Sequence, residues 1–429
     1  MIGVVADDLT GATDIGIMFT KQNYRVVVVS GDVIESPQNR HYVEDVVVVD
    51  IDSRLTSREV VYKRTRAAVR WLTRIGCDRY YGKVCSVFRG HVGALFDALL
   101  DEASESFSPV VLGFPKNGRE TIGGIHYVHG RKLEDSEFAM DPVHPMKESR
   151  LQVILQGQTH RRVGTIDSRI VSQGVKAVED RLSVLRHTVN YVIFDVRNQD
   201  DLQTIASAVS NLTVVCGSSA VVEEYPRNDV YLEQRAKSGD SNLSRSRGVL
   251  LLAGSLTPQT KRQIEHLRSA GVPCLELDTV LMMEATEDYL RLQQQIVSRS
   301  GEILKEDRAV MVFASNGREA VAKTLDRGRS QGLSETQVFQ RVSAQLAEAA
   351  SCIVEKSGVQ RMVVGGGDTS AKVCRKLGLS ELEILGEIEP GVPLSRSISF
   401  PRMGVVLKSG SFGDDEFFAT AIGALRTLS

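Results

Sequence analysis

The chain is 429 residues long, more than one hydrophobic core usually organises, so two domains are expected. Apolar residues make up 42% and charged residues 25%, the balance of an ordinary globular protein. With 52 Lys and Arg against 54 Asp and Glu the net charge is -2, which leaves no electrostatic footprint for nucleic acid or an anionic membrane.

The first segment, Ile2-Gly3-Val4-Val5, is strand-like and lacks a basic region, so it does not read as a signal peptide. No apolar run nears the ~20 residues that span a bilayer. Further strands are predicted at Arg25–Val29, Val46–Val49, Tyr80–Lys83, Pro109–Leu112 and Tyr191–Asp195. Two of these, Val26–Val29 and Val46–Val49, are apolar throughout, as strands covered on both faces of a parallel sheet must be. Between strands, Ser57–Ile75 has helical periodicity, with Val60, Val61, Ala67, Ala68 and Trp71 near one face. This alternation predicts βαβ units.

From Tyr225 to Arg247 apolar residues become sparse, which predicts a linker over 226–247. A second alternation follows at Val249–Ala253, Ala309–Ala314, Arg361–Val364 and Val405–Lys408. The expected organisation is α/β, with two Rossmann-like domains over 1–225 and 248–429, each with a mostly parallel sheet. Six cysteines are scattered at Cys77, Cys85, Cys216, Cys274, Cys352 and Cys374 without a C-x-x-C pair, so a reducing cytoplasm fits better than a disulfide scaffold or zinc site.

In open α/β sheets ligands bind beyond the carboxyl ends of strands, where helix N-termini offer free N–H groups. Four turns occupy such places. Ala6-Asp7-Asp8-Leu9-Thr10-Gly11-Ala12-Thr13-Asp14 pairs two carboxylates able to bond a polyol, accept its proton or hold a cation. A lone Asp there would more often cap the helix. Gly365-Gly366-Gly367-Asp368-Thr369-Ser370 lets backbone amides approach an anion. It lacks Walker A spacing. It does match the start of a dinucleotide fingerprint, with Glu387 about twenty residues on, so an NAD(P)-dependent dehydrogenase is a rival reading. Lys408-Ser409-Gly410-Ser411-Phe412-Gly413 sets a lysine beside flexible donors, and Ser255 opens Ser255-Leu256-Thr257-Pro258. The bland readings are a solvated lysine and a helix cap.

Arg54, Lys83 and Arg89 lie near strand ends and could clamp a carboxylate, although each alone is more often a surface ion-pair partner. His126 and His129 are three apart in a strand-like segment, on opposite faces, so a metal triad with His144 is not expected. Nothing around Cys85 nominates it as a nucleophile.

Together these segments resemble the four-carbon acid sugar kinase family. The resemblance rests on Ala6-Asp7-Asp8-Leu9-Thr10-Gly11-Ala12-x-Asp14, Asp52-Ser53-Arg54, Phe114-Pro-x-x-Gly118-Arg119-x-Thr121, Asp141-Pro-x-x-Pro145, Gly365–Ser370 and Lys408-Ser409-Gly410-x-Phe412-Gly413, in that order from residue 2 to about 418. It implies an ATP-dependent, Mg2+-assisted kinase of a small sugar acid, with its active site in an interdomain cleft. Asp8, Arg54 and Lys83-Val84-Cys85-Ser86 would face the acid, and Ser255, Gly365, Gly366, Gly367, Asp368 and Gly410 the nucleotide. Asp7 or Asp8 would take the hydroxyl proton, Arg54 and Lys83 would hold the carboxylate, and Lys408 would meet phosphate. The family reads Lys-x-Asp-Ser-Thr-Leu-Arg-Gly where this chain has Lys83-Val-Cys85-Ser-Val87-Phe-Arg89-Gly90. Loss of that acid and hydroxyl implies a less polar pocket and a shifted preference. A sugar-acid sensor without catalysis is the reading from another class. A homodimer is compatible with everything above.

Overall fold

The computed structural model describes residues 1–35, 41–141, 143–227, 243, 248–284, 286–399 and 401–428. The chain forms two compact units, Met1–Lys237 and Ser238–Ser429. Most of the linker expected over 226–247, and Pro142 of the Asp141 motif, lie outside the described residues. No described helix is long and apolar enough to cross a membrane.

The strands of the first unit are β1 (Ile2–Ala6), β2 (Val26–Ser30), β3 (Val46–Asp50), β4 (Arg79–Lys83), β5 (Ser108–Val111), β6 (Arg119–Ile122), β7 (Ile125–Val128), β8 (Arg131–Lys132), β9 (Val163–Ile166), β10 (Tyr191–Phe194) and β11 (Val214–Gly217). Eight of them make a parallel sheet in the order β2-β3-β1-β4-β11-β5-β10-β9. The central strand β1 is buried at all five positions, which explains its unbroken apolar run. Its register matters for the site. Ala6 lies opposite Asp50 of β3 and Lys83 of β4, so three strands end level and release their polar residues at one edge.

Helix α1 (Leu9–Lys21) starts on Asp8, whose side chain accepts from the Gly11 amide. Helix α2 (Arg58–Arg74) is capped by Ser57. Its buried face is Val61, Thr65, Ala68, Val69, Trp71 and Leu72. Ala67, expected on that face, is exposed, because it lies ~100° round the helix from Ala68. The short strands β6, β7 and β8 form a separate antiparallel sheet, of which only the strand-like His126–His129 segment was anticipated.

The second unit holds β12 (Val249–Ala253), β13 (Cys274–Leu277), β14 (Ala309–Ala314), β15 (Arg361–Gly365), β16 (Glu381–Glu389), β17 (Val392–Ser397) and β18 (Gly404–Lys408), ordered β13-β14-β12-β15-β18-β17-β16. β16–β17 and β17–β18 are antiparallel, and the remaining pairs are parallel. Leu251, Ile264, Met311, Phe313, Val363, Val406, Phe417 and Phe418 are among the residues of its core. Here too three strands end level, with Gly365 opposite Ala253 and Lys408.

Candidate active site

In the first unit, Asp7 and Asp8 are clamped by one guanidinium. The backbone amides of Ser53 and Arg54 donate to the Asp7 carbonyl at 2.9 and 3.1 Å, which anchors the base of the Arg54 side chain. Arg54 Nε and Nη2 then donate to Asp7 Oδ2 and Oδ1, both at 2.8 Å. Nη2 also reaches Asp8 Oδ1 at 2.8 Å, and Nη1 bonds Asp8 Oδ2. Asp8 additionally accepts from Gly11 N at 2.7 Å and Thr10 Oγ1 at 2.9 Å. Gly11 must be glycine for this contact, since a Cβ would fall 2.6 Å from Asp8 Oδ1.

Burial works against the Asp8 charge, but Arg54 and then Lys83 outweigh it and hold the carboxyl below its ordinary value. Arg54 itself is held well above its ordinary value by Asp7 and Asp8, again against burial. Asp8 is thus a fixed anion with four donors around it, about what a carboxylate can accept. It can orient a hydroxyl, or take its proton, only if one of these donors, such as Arg54, loosens. Lys83, 3% exposed, sits 3.2 Å from the Val84 carbonyl and 3.5 Å from Asp14 Oδ2. Arg54 and Lys83, expected to hold a ligand carboxylate, therefore already have anionic partners within the chain.

Sequence reading missed Asp50. Burial raises its carboxyl well above the ordinary range, and it accepts from the Asp52 amide at 2.9 Å. As the last residue of an apolar run it carried no local signal.

The segment after Lys83 corrects another expectation. Val84 and Val87 are fully buried, so Val87 presents no surface to a ligand. Cys85 and Ser86 are half-buried. Phe88 takes a left-handed φ of 57°, unusual for a bulky residue, and its amide donates to the Cys85 carbonyl at 2.9 Å. The bend brings Arg89 Nε to 3.3 Å from Cys85 Sγ. Burial raises the thiol, yet Arg89 and Arg54 outweigh burial and hold it below its ordinary 9.0. Position 85 therefore carries a thiol whose ionised form is favoured by two guanidiniums, where the resembling family has an aspartate.

The histidines disperse. His126 is buried with Nδ1 3.0 Å from Thr121 Oγ1, His129 is exposed, and His144 Nε2 lies 2.8 Å from the Arg54 carbonyl.

In the second unit, three turns interlock at the ends of β12, β15 and β18. Gly254 N donates to Gly365 O at 3.1 Å, and Gly366 N to Lys408 O at 2.9 Å. Gly366, at φ 121°, leads into the helix Gly367–Lys376 without a side-chain cap. That leaves the first-turn amides free for an anion, with the helix dipole behind them. The turns approach too closely for larger residues. A Cβ on Gly254 would lie 2.2 Å from Thr369 Oγ1, and one on Gly410 2.2 Å from Ser255 Oγ. Ser255 Oγ sits 3.0 Å from Thr257 Oγ1. Asp368, in the first helical turn, is exposed.

Lys408 departs from expectation. It is fully buried, and its ammonium lies 3.1, 3.2 and 3.2 Å from the carbonyls of Ser409, Gly410 and Phe412. It braces the turn from inside, with its ammonium directed at those carbonyls. Burial lowers it to about 8, only partly offset by Glu389. The folded value lies below the unfolded one, so stability rises with pH between about 8 and 10.5. Relative to Lys408→Met, the wild type should gain up to about 3 kcal/mol across that window. Denaturant melts of both at pH 8 and 10 check this, and a constant difference would contradict it.

Glu387 does not serve a dinucleotide. It lies in the antiparallel strand β16 and accepts from Gly391 N at 2.9 Å within that hairpin, whereas the ribose-binding acid of the fingerprint ends a parallel strand.

Residues 2–225 match a family described as a sugar-binding N-terminal domain, and residues 250–418 one described as a nucleotide-binding C-terminal domain. A 3-oxo-tetronate kinase of Pectobacterium atrosepticum is 30% identical over 437 residues, covering 98% of each chain. The chain belongs to the four-carbon acid sugar kinase family. This kinase family also includes a 3-oxo-tetronate kinase of Salmonella typhimurium, 31% identical over 434 residues and covering 98% of each chain. Among solved structures, a Salmonella typhimurium protein provisionally labelled a tRNA synthase superposes with a TM-score of 0.82 at 27% identity, covering 98% of each chain. A Haemophilus influenzae protein follows at 0.73 and 27% identity, with 99% of this chain and 100% of that one covered. As a member of this kinase family, the protein is a phosphotransferase.

Proposed function

We propose that the protein transfers the γ-phosphoryl group of ATP to a hydroxyl of a four-carbon sugar acid, with 3-oxo-tetronate the first candidate. The observation that carries this reading is the division of chemistry between the units. The first gathers fixed carboxylates and guanidiniums suited to a polyhydroxy acid, and the second presents uncapped amides and close-packed glycines suited to phosphate. Full-length similarity to 3-oxo-tetronate kinases supports it.

Ser255, the Gly365–Asp368 amides and Gly410 hold the nucleotide's phosphates in this reading, with Lys408 keeping the last turn in shape. Asp368 is an exposed oxygen donor that suits a hydrated Mg2+. Asp368 would hold such an ion, which would supply positive charge to offset that of the transferred phosphoryl group. Asp8 accepts the hydrogen bond of the attacking hydroxyl in place of one from Arg54, and so fixes its direction. The hydroxyl oxygen bonds to the γ-phosphorus, the bond from that phosphorus to the β-phosphate oxygen breaks, and ADP leaves. The proton passes to the Asp7–Asp8 pair as Arg54 shifts, or to water. Positioning dominates such a reaction, so a strongly basic residue is not required.

ADP release is the test, measured with Mg-ATP and a panel of 3-oxo-tetronate, threonate and erythronate. Turnover on the order of 1–100 per second with one member is expected. Binding of the acids without ADP release would replace the kinase by a sensor.

A further inference from the structure

Four cations converge on the acid-binding edge of the first unit, and three have anionic partners. Arg54 holds Asp7 and Asp8, Lys83 lies beside Asp14, and Arg89 bonds Asp141 Oδ2 at 3.0 Å and Cys85 Sγ at 3.3 Å. Arg119 bonds no carboxylate among the described residues. Its Nη1 reaches the Asn117 carbonyl and lies 3.3 Å from His129 Nε2, while its Nε is buried without an acceptor.

Arg119 is nevertheless held in place. Gly118, at φ 64°, turns the chain into β6, and a Cβ there would fall 2.4 Å from His129 Nδ1. The Arg119 guanidinium carbon lies 5.9 Å from the Phe138 ring centroid, and that of Arg89 lies 5.2 Å from the same ring. Two guanidiniums thus share one aromatic platform. Burial destabilises the Arg119 charge, and Arg89 repels it. Glu137 and Cys85 offset part of this from a distance. A half-buried cation beside a second cation, with an unused donor, is stabilised by an anion that meets both. Planar forks match a carboxylate through paired hydrogen bonds.

We propose that Arg119, together with Arg89, is the receptor for the carboxylate of the acid substrate. This assigns the task to a pair other than Arg54 and Lys83, whose charges are already met. It rests on the reading of the substrate as a sugar acid.

The test compares binding of the acid with binding of its primary amide, by calorimetry without nucleotide. Wild type should favour the acid strongly. Arg119→Met should weaken acid binding by about 30-fold or more while changing amide binding little, so the preference collapses. Arg119→Lys, which keeps the charge but not the fork, should restore part of it and serves if the methionine variant fails to fold. In turnover, the acid's KM should rise with kcat within about 3-fold and the KM for ATP unchanged. Acid and amide weakened in parallel would mean a merely structural role and would overturn the proposal, as would unchanged acid affinity in Arg119→Met when the wild type releases ADP. Acid binding by wild type without ADP release would sink the kinase reading alone and leave this comparison decisive.

Discussion

Arg54→Met is expected to destabilise the first unit by about 3–5 kcal/mol and to abolish turnover. The substitution leaves Asp7, 5% exposed, and Asp8 side by side with no guanidinium between them. Four hydrogen bonds to charge disappear, and two buried carboxylates repel. Such a loss is a sizeable part of the 5–15 kcal/mol that holds a domain together. Arg54→Lys should do less harm to stability but cannot span both carboxylates, so activity should stay low. The deficit should also depend on pH. In wild type the folded Asp8 is held below its ordinary 3.8, so its contribution is present above that value and lost as pH falls through the folded value. Without Arg54 the pair can relieve itself by binding a proton, so the gap between variant and wild type should narrow as pH drops. Urea melts at pH 7 and pH 4.5 measure both effects. A variant within 1 kcal/mol of wild type at pH 7 would show that the clamp is dispensable for folding.

Gly366→Ala should strike the other half of the reaction. At φ 121° an alanine is strained by about 1–3 kcal/mol, and its Cβ would sit 3.3 Å from the Ser255 amide. The Gly367–Lys376 helix can relieve that strain only by withdrawing its first turn from the Ser255 turn. The KM for ATP should then rise about 10- to 100-fold, the equivalent of that strain. Acid binding, measured without nucleotide, should not change. A variant that loses both ligands equally would point to general damage in place of a phosphate cradle.

How much of this was legible beforehand depended on burial. Strands such as Val46–Asp50 and Ala309–Ala314 are covered on both faces, so their apolar runs announce them. The strand Val163–Ile166 contains a glycine and a threonine and carries no such run. The hairpin Glu381–Ser397 hides its strands behind charged residues that one wetted face tolerates. Turns rich in glycine and acid were legible at the strand ends, because those residue types serve backbone geometry and anion approach directly. Pairing was not legible. That Arg54 is consumed by Asp7 and Asp8, and that Lys408 faces inward, depends on tertiary contacts no local pattern encodes. Arg119 stood in a motif, yet that it bonds no carboxylate among the described residues is visible only once its neighbours are placed.

The order of strands in the first unit bears on its synthesis. β11, residues 214–217, lies between β4 and β5, although both are made far earlier. About 130 residues separate Lys83 from Val214. At 5–20 residues per second the ribosome takes roughly 7–26 s to deliver the missing strand. Throughout that interval the residues of the Asp-Asp turn, Arg54 and Lys83 are all in hand, but the inner edge of β4, and that of β5 once made, are unsealed. Unpaired edges invite association with other nascent chains. Recombinant yield should therefore respond to translation speed and chaperone supply over residues 84–217 more than over any other stretch.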